Sequence, residues 1–104
     1  MRLTNLGSLM ELKVLASSSF ARMVKKLHAK DKTVVDQAIR NIASNPAIGE
    51  EKRGDLSGVF VYKFKLNNQE TLLAYSLQPD KHAPKEVTFL SVGSHENFYE
   101  QLKR

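Results

Sequence analysis

The second half of the chain is cut into three short β-forming runs, and this pattern limits the fold more than any other feature of the sequence. Val59 to Leu66 is rich in β-branched and aromatic residues, Asn67-Asn68-Gln69 breaks it, and Thr71 to Leu77 resumes it. Two such runs around a polar break read as a β-hairpin. The polar segment Gln78 to Lys85, with Pro79 and Pro84, leads to a third run, Glu86 to Val92, which Gly93 closes. Runs joined by such short connections predict a three-strand antiparallel meander.

The first half supplies different periods. Leu12, Val14 and Ala16 alternate with Glu11, Lys13 and Leu15, which predicts a first strand. Ser17 to Ser19 offer capping oxygens, and Phe20, Met23, Val24 and Leu27 then recur at helical spacing, so a helix is expected over 18–29. Arg22, Lys25 and Lys26 form its solvated basic stripe. Asp31 is placed to cap a second helix whose stripe is Val35, Ala38, Ile39 and Ile42. It should end at Asn45-Pro46, with Asn45 taking the left-handed conformation and Pro46 blocking continuation. With so short a connection, the expectation is an antiparallel helical hairpin in which each helix covers the other's stripe. Phe98 and Leu102 suggest a short closing helix in the tail from His95 to Arg104. The reading is thus an α+β fold: N-terminal strand, helical hairpin, three-strand antiparallel meander and short C-terminal helix. Residues 1–10, with scattered Leu3, Leu6 and Leu9, read as a flexible leader to a single domain over 11–104.

Composition removes whole classes of chemistry. With no cysteine among 104 residues, disulfide scaffolds, thiolate nucleophiles and cysteine-bearing metal sites are excluded. The three histidines, His28, His82 and His95, are too dispersed in sequence to suggest a metal site, and no cofactor motif stands out. Gly49, Gly54 and Gly58 are too irregular for a phosphate loop. No apolar run is long enough for a bilayer span, and a cytoplasmic protein is expected. The net charge of +5 favours polyanionic partners.

The strand Val61-Tyr62-Lys63-Phe64-Lys65-Leu66 is the most informative for chemistry. Alternation puts Tyr62, Phe64 and Leu66 on a core face and Lys63 with Lys65 on the other, about 6–7 Å apart. That spacing suits one phosphate or two neighbouring ones; it equally keeps an exposed sheet face soluble. His95, just past the last strand, is placed to move protons near neutral pH or simply to cap a helix. His28, ending a helix, would suit the dipole in its positive form, and His82 lies in a polar loop. Tyr99 follows His95 at helical i, i+4 spacing, fit either to stack on an unpaired base or to pack on the sheet.

In this order, these residues resemble the RelE/ParE superfamily of toxins from bacterial type II toxin–antitoxin modules. The likeness covers nearly all of the chain after Met10. It rests on the helical hairpin, the linker Lys52-Arg53-Gly54-Asp55-Leu56-Ser57-Gly58, the Val61–Leu66 strand, Leu72-Leu73-Ala74-Tyr75, and Val92-Gly93-Ser94-His95-Glu96-Asn97-Phe98-Tyr99. The resemblance implies a small curved antiparallel sheet backed by two helices, with an antitoxin wrapped around the toxin and operator DNA reached only through that partner. RelE-like members are metal-independent endoribonucleases that cut mRNA, usually in the ribosomal A site; ParE-like members poison DNA gyrase. On the ribonuclease branch, Lys63 and Lys65 match the strand lysines credited with phosphate contact and base duty. His95 matches a histidine of some branches, able to be acid or base, and Tyr99 an aromatic that stacks on or orients the base. Lys52 and Arg53 would add charge toward the phosphate. Leu72 departs from the pattern, since many ribonuclease members carry arginine there. That departure keeps open a catalytically silent homologue that only binds antitoxin.

Overall fold

The computed structural model describes residues 3–94, and its backbone is a six-stranded sheet with two helices on one face. The strands are β1 (Leu3–Leu9), β2 (Leu12–Ser17), β3 (Glu50–Glu51), β4 (Phe60–Leu66), β5 (Gln69–Gln78) and β6 (Glu86–Ser94), and the helices α1 (Ser18–Lys25) and α2 (Ala29–Ser44). Across the sheet the order is β1-β2-β6-β5-β4-β3. The β4–β5–β6 pairings are antiparallel, as the hairpin signals predict, but β2 runs parallel to β6. The sheet is therefore mixed, and it is larger than one strand plus a three-strand meander because β1 and β3 extend its two edges.

The first ten residues are corrected most. Leu3–Leu9 is not a leader but an edge strand paired antiparallel to β2, from Leu3 opposite Ser17 to Leu9 opposite Leu12. Met10 and Glu11 make the two-residue turn, both at positive φ (50° and 68°). This is the geometry that matches hairpin twist. The same geometry recurs at Asn67 and Asn68, with φ of 53° and 64°, where asparagine tolerates it readily.

Ser17 caps α1, its Oγ accepting from the Phe20 N–H at 3.1 Å while its hydroxyl donates to the Leu90 carbonyl at 2.8 Å. The cap thus ties the helix start to β6. α1 ends at Lys25, short of the expected residue 29, and α2 begins before Asp31, which sits in its first turn. His28 consequently occupies the N-cap of α2 instead of a helix C-terminus. Asn45 has φ −147° and ψ 82°, not a left-handed conformation, so Pro46 acts without a left-handed cap to end α2.

Both helical stripes face the sheet. Phe20, Val35 and Ile42 are buried together with Leu12, Val14, Tyr75, Val87 and Phe89, and Val24, Leu27 and Ile39 pack against them. The helices do not seal each other's stripes: a groove lined by Leu6, Phe20, Val24, Val35 and Ile39 separates them. Phe20 on Phe89 (5.5 Å between ring centres) and Phe60 on Tyr75 (5.4 Å) stack through the core. Fully buried rings like these cost about 3–5 kcal/mol when truncated to alanine. The closing helix expected over 95–104 lies outside the described residues.

Candidate functional site: the helix-free face of the sheet

Among the described residues the helices lie on one side only, so β4 has one face packed on them and one face turned away from them. Phe60, Tyr62, Phe64 and Leu66 point to the helices, and the Tyr62 hydroxyl accepts from Asn41 Nδ2 of α2 at 3.1 Å. Tyr62 and Phe64 stack with centres 6.1 Å apart. Val61, Lys63 and Lys65 alternate onto the other face, where both lysines are exposed. The burial along the strand follows the division expected from the sequence, with Lys65 also bordering a groove beside Thr33, Val34 and Gln37 of α2.

Register then decides what surrounds the lysines. Lys63 lies opposite Leu72 of β5, which lies opposite Gly93 of β6; Val61 lies opposite Ala74, and that residue opposite Ser91. Val61, Leu72 and Ala74 are buried together, with Val59 and Leu90 against them, so this face has an apolar floor. Leu72, standing where an arginine was expected, is fully buried in that floor. Lys65 faces Glu70 across the hairpin.

β3 completes the cluster. Glu50 pairs with Val61, so its side chain leaves on the face that carries Lys63. The Lys52 N–H donates to the Val59 carbonyl at 2.8 Å, and its ammonium reaches the Glu50 carboxylate at 2.7 Å. This hydrogen bond and the charge of Lys52 hold the Glu50 carboxyl below its ordinary value, with Lys63 adding to the effect. Two cations and a carboxylate therefore share one corner of this face, and the cations are able to hold a phosphate.

Of the residues picked out by sequence, Lys52, Lys63 and Lys65 are brought onto this face. Arg53 is exposed in the following loop, at the start of a short 3-10 turn over Gly54–Leu56. His95 and Tyr99 lie outside the described residues; the last described one, Ser94, pairs with Thr71 beside the Leu72–Gly93 pair. Glu50 was missed, because a glutamate in Gly-Glu-Glu-Lys-Arg reads as a solvated loop charge. Only the register of β3 reveals which way it points. Among the described residues no three of His, Asp and Glu gather as a metal ion would require. No helix there is long and apolar enough to cross a membrane.

A two-helix layer on one face of a mixed sheet, with lysines on the other, defines a small α+β protein. The chain belongs to the ParE-like toxins of type II bacterial toxin–antitoxin systems, whose family model matches residues 14–103. The fold is similar to a chain of the intact RelBE toxin–antitoxin complex of E. coli, with a TM-score of 0.61, 18% identity, and coverage of 80% of this chain and 95% of that one. It is also similar to a chain of the RelBE2 toxin–antitoxin complex of Mycobacterium tuberculosis, with a TM-score of 0.62, 23% identity, and 79% and 95% coverage. Comparison with curated protein sequences finds no match.

Proposed function

We propose that this toxin is a metal-independent endoribonuclease that cuts translated mRNA, with Glu50, Lys52, Lys63 and Lys65 forming the described part of its site. The observation that supports this most is the convergence of Lys52, Lys63 and an ionised Glu50 on the helix-free face. In the reaction a ribose 2′-oxygen attacks the adjacent phosphorus and the bond to the 5′-oxygen breaks. The products are a 2′,3′-cyclic phosphate and a free 5′-hydroxyl. The lysines offset the charge that builds on the phosphorane, and Glu50 is the weak base that accepts the proton leaving the 2′-hydroxyl as its bond to Lys52 loosens. His95 returns a proton to the 5′-oxygen and Tyr99 stacks on a neighbouring base. Arg53 adds positive charge along the RNA path.

The partners follow from the same surface. A cognate antitoxin with an acidic segment would neutralise the lysines, and operator DNA would be reached through it. The ribosome presents the mRNA, and the cytoplasm is the place of action.

A second reading, a poison of DNA gyrase, draws support from the buried Leu72 and the apolar floor shared with Val61 and Ala74, since a protein target needs contact surface and no proton transfer. Inducible expression separates the two. Growth arrest with mRNA cut within codons by primer extension, lost in Lys63→Ala and Lys65→Ala, supports the ribonuclease. Arrest with intact mRNA and accumulated broken DNA supports the gyrase poison, and the absence of both supports a silent antitoxin-binding homologue.

A further inference from the structure

Strand β3 is only two residues long, yet it carries Glu50 and leads directly into Lys52. Beside its two register pairs, the strand is held by the Lys52 N–H bond to Val59 and by the Lys81 ammonium on the Glu51 carboxylate at 2.8 Å, both at the sheet edge. The segment before it is secured from the opposite side of the sheet. Tyr75, in the middle of β5, is fully buried among the helix-side core residues, its ring stacked on Phe60 and tilted against Phe89. Its hydroxyl donates to the Pro46 carbonyl at 2.7 Å and accepts from the Gly49 N–H at 2.9 Å. The two bonds bracket the loop that connects α2 to β3. Gly49 is required by this contact: a Cβ there would sit 2.7 Å from the Tyr75 oxygen and 2.9 Å from its Cε1. The loop backbone therefore rests directly on the phenol.

We infer that Tyr75 is a positioning residue, which fixes Pro46–Gly49 and so holds Glu50 and Lys52 beside Lys63 on the open face. This rests on reading that face as the RNA site. Tyr75 itself never meets substrate, because its side chain lies on the helix side of the sheet; it acts through the edge strand. The ring and the hydroxyl have separable duties. The ring fills core, and the hydroxyl holds the loop.

The test is Tyr75→Phe, which keeps the ring, with Gly49→Ala as an independent way to push the same contact apart. Two readouts are taken on the full chain. In hydrogen exchange, the amides of Glu50 to Lys52 should exchange at least about tenfold faster than in the wild type, as expected when the two hydrogen bonds of the Tyr75 hydroxyl are lost, while the β5–β6 amides keep their protection. In a reconstituted translation reaction, the mRNA cleavage rate should fall in Tyr75→Phe. It should fall no further when Tyr75→Phe is added to a Glu50→Gln/Lys52→Ala double variant, in which the groups it positions are already gone. A general loss of stability would instead lower rates additively and speed exchange throughout the sheet. Unchanged exchange at Glu50 to Lys52, or a full further loss of rate in the Glu50→Gln/Lys52→Ala background, overturns the inference. If the wild type cuts no mRNA, the ribonuclease reading fails by itself, and the exchange pattern alone decides whether Tyr75 holds β3.

Discussion

Lys63 stands directly across β4 and β5 from Leu72, an exposed cation beside a fully buried leucine. This juxtaposition explains why the cation missing at position 72 cannot simply be put back. Leu72→Arg would force a guanidinium into the floor formed with Val61 and Ala74, and an unpaired buried charge costs several kcal/mol. The expected outcome is a lower thermal unfolding temperature with no gain in mRNA cleavage. Thermal denaturation together with primer extension checks it; a stable and faster Leu72→Arg protein would show that the floor is not packed as described.

Alkaline pH should expose the buried phenol. Burial pushes Tyr75 up to about 12, with the Gly49 N–H bond pulling partly the other way. The folded protein keeps that proton where an unfolded tyrosine, ordinarily near pH ~10, has lost it. The contribution to stability is therefore whole below about pH 10 and disappears as pH rises through about 12. Urea midpoints of wild type and Tyr75→Phe should differ by a constant amount at neutral pH and converge over that window. A gap that stays constant through the window would contradict the burial.

The helix-side core and the lysine face were legible because period-two alternation in β4 states both at once, and Ser17 before the Phe20 stripe marked the start of α1. The N-terminal hairpin was not, since its turn is Met10-Glu11, two residues that seldom adopt positive φ, in place of an Asn-Gly or Asp-Gly signal. β3 escaped for another reason: two residues contain no period. The parallel pairing of β2 with β6 joins segments some seventy positions apart, and nothing local encodes it. Glu50 became visible as a site residue only through its pairing with Val61.

That unfavourable turn gives a simple gain-of-stability test. Met10→Asn combined with Glu11→Gly places residues suited to positive φ where φ is 50° and 68°. Stability should rise by about 0.5–1 kcal/mol, read as a higher urea midpoint with an unchanged slope. A fall in midpoint would mean that Met10 and Glu11 do not form the turn in solution.

Glu50→Gln separates proton transfer from charge balance. The ionised carboxylate offsets Lys52 and Lys63, so removing its charge should tighten binding of a non-cleavable 2′-O-methyl RNA while mRNA cleavage falls by about 10²-fold, the lower end for a lost general base. Fluorescence anisotropy and cleavage assays report the two effects separately. A Glu50→Gln protein that cuts at the wild-type rate would remove Glu50 from the chemistry.

The claim that the open face cuts RNA is tested most directly by primer extension on a translated mRNA, comparing wild type with Lys63→Ala and Lys65→Ala. Both lysines are exposed, so their loss should leave unfolding free energy within about 0.5 kcal/mol of the wild type. Cleavage within codons in the wild type, reduced by at least about tenfold in each stably folded variant, is the predicted result. Intact mRNA under growth-arresting wild type, or cleavage indifferent to both substitutions, would contradict it.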